Sequence, residues 1–326
     1  MMLYPLKFRQ IYKERVWGGN KLSTVLKRVK KSEKAIGESW ELSSVEDNLS
    51  IVKNGFLKGN NIQELIEIYM GDIVGEKVYE TFGIEFPLLF KLIDSAERLS
   101  VQVHPGDDVA MQRHQAYGKT EMWYVIDASN DSQIYVGFNK DLNGEEFKAR
   151  VQSGSLVDVM NIEHAKKGDV FFLPAGRIHA IGDGLLIAEI QQTSDITYRI
   201  YDWGRENNPA TAREMHVQFA EDVIDYKRHE SYKTQYVEEE DSATGLVNCK
   251  YFTTNLLSFS KTTDRHYADL DSFVVYMCLE GKAKLVCDDE VDETVSMGET
   301  VLIPAIFNSV RIIPEQSVKL LEVYIP

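Results

Sequence analysis

The chain has 326 residues, 44% of them hydrophobic and 27% charged, an ordinary globular composition with length for about two domains. A net charge of −15 argues against a nucleic-acid binder. No stretch approaches the ~20 apolar residues of a membrane span, and the first residues lack the apolar run of a secretory signal. The three cysteines, Cys249, Cys278 and Cys287, are an odd, widely spaced set that reads as reduced thiols, and the expected compartment is the cytoplasm. The densest basic run, 27–31, is soon diluted by Glu33 and reads as a solvated face.

Residues 1–57 read as short strands and loops, with a turn at Val16–Asn20 that exposes Trp17 and an alternating run at Ile36–Ser43. Ile62, Leu65, Ile66, Tyr69 and Met70 recur at intervals of three and four behind Asn60-Asn61, which predicts a helix over 61–81. Phe86–Leu92 is a continuous apolar run, suited to a buried strand. Leu99–His104 then alternates apolar and polar, so Gln102 and His104 leave one face of a strand that Pro105-Gly106-Asp107 ends. After a polar excursion, Lys119–Ile126 is strand-like and carries Glu121 among apolar and aromatic residues. An unpaired carboxylate is costly there. A divalent metal shared with His104 removes that cost; pairing with Lys119 or Arg177 is the plainer alternative.

Asn143 can cap a second helical region over 142–163, with Phe147, Val151, Leu156, Val159 and Met160 as its apolar positions. Strand signals follow at Asp169–Pro174 and Leu185–Gln191. From Arg205 the chain turns polar, and a domain boundary is expected near residue 235, giving a domain 1–235 and a domain 236–326. The tail is nearly all short strands, with a hairpin turn expected at Glu280-Gly281 and an architecture of the jelly-roll kind.

One internal repeat organises these pieces. Gly168-Asp-Val-Phe-Phe-Leu-Pro-Ala175 recurs as Gly298-Glu-Thr-Val-Leu-Ile-Pro-Ala305, a turn glycine before a short buried strand that a proline ends. The first copy runs on to His179, the second to Asn308-Ser309, so the halves read as copies of one barrel of which only the first kept ligating chemistry. The spacing Gly168-x5-Pro174-x-Gly176-x2-His179 resembles the second cupin motif. The expected fold is mainly β: two cupin-type jelly-roll β-barrels, with a few helices inserted in the first and the second metal-free. Gln102, His104, Glu121 and His179 offer two imidazoles, a carboxylate and an amide oxygen, which suit Zn²⁺, while Fe²⁺, Mn²⁺ or Co²⁺ would also fit.

The chain resembles the type I mannose-6-phosphate isomerases (phosphomannose isomerases), particularly the short bacterial form. The matching pieces, in order, are Trp17-Gly-Gly19, Gly37-Glu-Ser-Trp-Glu41, Phe90-Lys-Leu-Ile-Asp94, Leu99-Ser-Val-Gln-Val-His-Pro105 and Gly118-Lys-Thr-Glu-Met-Trp-Tyr124. Pro174-Ala-Gly-Arg-Ile-His-Ala180 and the segment Glu189–Arg205 complete them. The resemblance implies one zinc per chain on His104, Glu121 and His179 with Gln102 as fourth ligand, an active-site Arg199, and Lys119 and Ser100 lining the sugar-phosphate site. Asp195 is near enough in sequence to orient Arg199. The implied reaction interconverts mannose 6-phosphate and fructose 6-phosphate through a cis-enediol, with Lys119, Asp195 and a zinc-bound water as possible proton carriers. The implied partner is a small sugar phosphate, and the absence of an obvious exposed apolar stripe favours a monomer. Two alternatives use the same residues: a non-haem Fe(II) oxygenase on a facial triad, and a non-catalytic sugar-phosphate-binding regulator. His114, His164, His216, His229 and His266 sit in polar surroundings and read as surface or structural; Trp17 and Trp40 read as packing.

Overall fold

The computed structural model describes residues 2–27 and 35–326, so all of the basic run except Lys27 lies outside the described residues. The chain divides into two compact units. One comprises Tyr12–Ser39 and Phe90–Thr234; the other comprises Met1–Ile11, Trp40–Leu89 and Gln235–Pro326. The chain crosses between these units after residues 11, 39, 89 and 234. Pairing explains the grouping. Leu6 bridges Leu302, Phe8 bridges Val52, and the Phe86 ring lies 4.5 Å from that of Phe273. In this division the helical segment after Asn61 groups with the carboxy-terminal strands, while the helices Asp107–His114, Gly144–Gln152 and Val217–Glu221 lie in the first unit.

The described chain is mainly β. A seven-stranded sheet runs in the order Ile11–Gly19, Ile36–Leu42, Leu88–Ser95, Leu185–Gln192, Glu121–Ala128, Val170–Leu173, Lys233–Thr234. A five-stranded sheet runs Tyr198–Tyr201, Val101–Val103, His179–Ile181, Gln133–Phe138, Met160–His164. Trp123, Val125, Phe171 and Ile187 from the first sheet pack with Ile134, Val136 and Ile181 from the second in one buried core. Each such side chain contributes roughly 1.5–3 kcal/mol on burial. On the other side of the five-stranded sheet, Val101, Val103, Ala180, Tyr198 and Ile200 pack with Phe147, Leu156, Val159 and Ala220 from the helical segments. Side chains alternate along a strand. With their neighbours committed to that outer core, Gln102, His179 and Arg199 face the opposite side, between the sheets.

Several elements differ from expectation for local reasons. The helix expected over 61–81 is three short ones, Ile62–Tyr69, Gly71–Val74 and Glu76–Phe82, interrupted where Met70 and Gly75 take positive φ. The second helix is only Gly144–Gln152, with the Asn143 side chain accepting from the Glu146 N–H at 2.9 Å. Past Gly154 the chain makes one 3₁₀ turn, Leu156–Val159, and enters the strand Met160–His164, whose partner is Gln133–Phe138. Trp17 is no exposed turn residue: it lies in the strand Ile11–Gly19 at 2% exposure.

In the other unit a sheet orders Ser242–Asn248, Thr253–Phe259, Ser309–Tyr324, Val274–Cys287 and Val291–Ser296, with Thr263–His266 and Thr300–Ile303 attached beside it. The hairpin turn expected at Glu280-Gly281 is instead a pair of register shifts inside the long strand Val274–Cys287. The repeat is structural. Gly168 and Gly298 both take φ above +80°, and each following turn closes with the same bond, Arg177 N–H to Pro174 O and Phe307 N–H to Pro304 O. All three cysteines are free, and burial raises the thiols of Cys278 and Cys287 to about 12. No helix among the described residues is long and apolar enough to cross a membrane.

Candidate active site

Strand register assembles the site. Gln102 is the cross-strand partner of His179 on one side and of Arg199 on the other, so the three side chains form a row across the five-stranded sheet. Glu121 opens a strand of the seven-stranded sheet, between Gln191 and Leu173, and meets that row from across the core. His104 follows the strand Val101–Val103, and its carbonyl accepts from the Gly176 N–H at 2.9 Å. That turn requires glycine at 176: φ is +88°, and a Cβ there would stand 2.7 Å from the Val223 carbonyl. The turn sets His179 at the start of its strand.

The ligand atoms of His104, Glu121 and His179 all lie within 4.8 Å of one another, and all three residues are buried. His104 Nδ1 donates to the Ile196 carbonyl at 2.8 Å and His179 Nδ1 to the Arg177 carbonyl at 2.9 Å. Both contacts select the tautomer that leaves Nε2 unprotonated, its lone pair aimed at the group, the arrangement of metal-binding histidines. Burial, then the Lys119 charge, holds both imidazoles neutral: His104 is lowered well below its usual range and His179 to about 3. Burial also pushes Glu121 up to about 7, against the pull of Lys119. Glu121 Oε1 is fully buried and accepts no hydrogen bond. A buried carboxylate oxygen with no donor, between two inward lone pairs, is the arrangement that a divalent cation completes, and this donor set fits one.

Lys119 is buried, its Nζ 3.0 Å from His104 Nε2 and 2.5 Å from Glu121 Oε2. Its pairing with Glu121 is thus present, whereas Arg177 turns instead to Asp225 at 3.5 Å. Gln102 turns its amide nitrogen toward His179 Nε2 at 3.3 Å, while its oxygen accepts from Ser100 Oγ at 3.5 Å. Ser100 in turn accepts from Arg199 Nε at 3.2 Å, which links the arginine to the histidine row. Burial first, then the charges of Arg213, Arg15 and Arg205, lowers Arg199 to about 10, so it remains cationic at neutral pH. Asp195 is exposed, and none of the bonds that hold Arg199 comes from its carboxylate.

Two groups escaped the sequence reading. Lys91 donates to Glu189 Oε1 at 3.0 Å and Gln191 Oε1 at 2.6 Å, and Glu189 also accepts from Trp123 Nε1 at 2.8 Å. The Trp123 ring meets His179 edge-on at 5.1 Å, so this buried network backs the histidine. Its signal was available: a charge inside an apolar strand, the same feature that singled out Glu121. The second group is Glu214 and His216, which contact Arg199; their polar sequence neighbourhood gave no sign of it.

Fold and site define a cupin-type protein whose first unit carries a buried two-histidine, one-carboxylate cluster that could hold a metal ion, beside a cationic arginine. The family model for the catalytic domain of type I phosphomannose isomerase matches residues 5–136. Mannose-6-phosphate isomerase ManA of Bacillus subtilis (strain 168) is 32% identical over 312 residues, 93% of this chain and 94% of its own. The probable mannose-6-phosphate isomerase GmuF of the same organism is 34% identical over 319 residues, 95% and 96% of the two chains. The crystal structure of the mannose 6-phosphate isomerase from Bacillus subtilis superposes with a TM-score of 0.87 at 28% identity, covering 99% of both chains. A putative mannosephosphate isomerase from Archaeoglobus fulgidus shares the fold, with a TM-score of 0.80 at 24% identity over 99% of both chains. The chain belongs to the type I mannose-6-phosphate isomerase family and is an enzyme of that family.

Proposed function

We propose that this chain interconverts mannose 6-phosphate and fructose 6-phosphate through a cis-enediol, with one zinc ion on His104, Glu121 and His179 and Gln102 as a fourth ligand. The observation that carries the metal is Glu121 Oε1, buried without a donor between two histidine Nε2 lone pairs. Ligation by Gln102 calls for its amide to turn over, exchanging the nitrogen that faces His179 for the oxygen. An ion bound there would supply Lewis acidity to the open-chain sugar.

The chain's own residues supply the rest. Arg199, already bridged to Ser100, holds the phosphate or steadies negative charge that develops on the sugar. Arg213, Arg15 and Arg205 add to the positive field around it, which a phosphate dianion needs in so acidic a chain. Lys119 brings a cation to the reacting end, and it and Asp195 are this chain's own candidates to carry the proton between C1 and C2. We read the chain as a cytoplasmic monomer, with its free cysteines in keeping with a reducing compartment.

Turnover in deuterium oxide tests the enediol. Solvent deuterium at C1 of the fructose 6-phosphate formed is the expected result; product free of solvent deuterium, with the hydrogen carried over whole, sinks it.

A further inference from the structure

The strand Tyr198–Tyr201 is the edge of the five-stranded sheet, so the outward backbone groups of Arg199 have no neighbouring strand. One residue covers both. The His216 N–H donates to the Arg199 carbonyl at 2.7 Å, and the Arg199 N–H donates to His216 Nδ1 at 3.3 Å. Two residues earlier, the Glu214 carbonyl accepts from Arg199 Nη1 at 2.8 Å. The segment 214–216 thus grips the arginine by its backbone and its guanidinium, while Ser100 takes Nε from the other side. We infer that His216 is a positioning residue: its Nδ1 lone pair pins the edge-strand backbone at Arg199 and so fixes where the guanidinium meets the substrate's phosphate.

An ordinary strand would pair that N–H with a carbonyl. Here an imidazole does so, and it works only as the neutral Nε2–H tautomer, because a proton on Nδ1 would oppose the Arg199 N–H. The ring also packs against aromatic neighbours, 6.2 Å from Tyr198 and stacked 6.5 Å from Phe219, so packing alone is the competing explanation for its presence. Burial, with the nearby Arg199 and His114 charges, lowers its pKa despite Glu214, which favours the neutral form the contact needs.

This inference rests on the proposed reaction, and two variants separate it from packing. His216→Asn keeps an acceptor near Nδ1 and loses the ring; His216→Phe keeps the ring and loses the acceptor. The isomerisation constants of each are measured with the metal content, and the dissociation constant for inorganic phosphate is measured by calorimetry. Expected is a KM and phosphate dissociation constant within about threefold of wild type for Asn, and on the order of tenfold higher for Phe, with kcat less affected than KM and metal content unchanged. Equal effects in both variants, no effect in either, or the reverse order overturns the positioning role. A wild-type chain that binds phosphate but turns over no sugar phosphate refutes the proposed reaction, and the order of the phosphate constants then still decides His216. A wild type that neither binds nor turns over refutes both.

Discussion

Lys91→Met tests the electrostatic support of the site. The Lys91 ammonium is 3.0 Å from Glu189 Oε1 and 2.6 Å from Gln191 Oε1, with the Lys91 and Glu189 side chains only 8% and 4% exposed. Methionine fills much the same space and leaves the Glu189 carboxylate buried without its cation. Breaking a buried pair from one side costs about 3–5 kcal/mol. In Lys91→Met/Glu189→Gln the buried charge is gone and Trp123 keeps an acceptor, so the double variant regains most of that loss. The pH dependence has a definite sign. Burial pushes Glu189 up, but Lys91 and Lys119, with the Lys91 and Trp123 hydrogen bonds, hold it at about 2 in the native chain. Its stabilisation is therefore complete above its ordinary value of 4.5 and is lost as pH falls through about 2. Without Lys91, burial raises the group, and the penalty grows as pH rises past its unfolded value. Urea midpoints at pH 5 and pH 8 read this directly: the variant trails wild type at both, by more at pH 8. Equal midpoints, a deficit independent of pH, or a double variant no more stable than the single one refutes the reasoning.

Other substitutions test the division of labour. Arg199→Met lowers kcat/KM for mannose 6-phosphate by about 10²–10³, with bound metal at the wild-type level by atomic absorption; an unchanged kcat/KM removes Arg199 from the site. Glu121→Gln empties the metal centre, and full metal content in that variant excludes Glu121 as a ligand. Asn308→Ala and Ser309→Ala, at the positions matching the first unit's histidine turn, leave metal content unchanged, because Ser309 is engaged with Asp288 through its N–H at 2.8 Å and hydroxyl at 2.9 Å. A fall in metal content in either would place an ion in the carboxy-terminal unit.

The sequence carried the triad because its signals are local. Alternation put Gln102 and His104 on one face, the Pro174–Gly176 turn aimed His179, and a carboxylate among aromatics marked Glu121. What it could not carry was register. That Gln102 lies between His179 and Arg199 depends on strands far apart in sequence. The same holds for the grouping of residues 40–89 with the tail, which long-range contacts such as Phe86 to Phe273 decide. Helix lengths failed where backbone geometry overrode apolar periodicity: Met70 and Gly75 break one run, and beyond Gly154 pairing with Gln133–Phe138 recruits the apolar end of the other as a strand. Asp195, near Arg199 along the chain, is exposed, while Ser100, 99 residues away, holds the arginine.

The central claim joins a metal on the triad to sugar-phosphate isomerisation. Conversion of mannose 6-phosphate to fructose 6-phosphate by the purified chain, measured as isolated, after chelation, and after zinc is restored, tests both together. The account predicts activity that disappears with the chelator and returns with zinc. Turnover that survives complete removal of metal, or no turnover with metal bound, would contradict it.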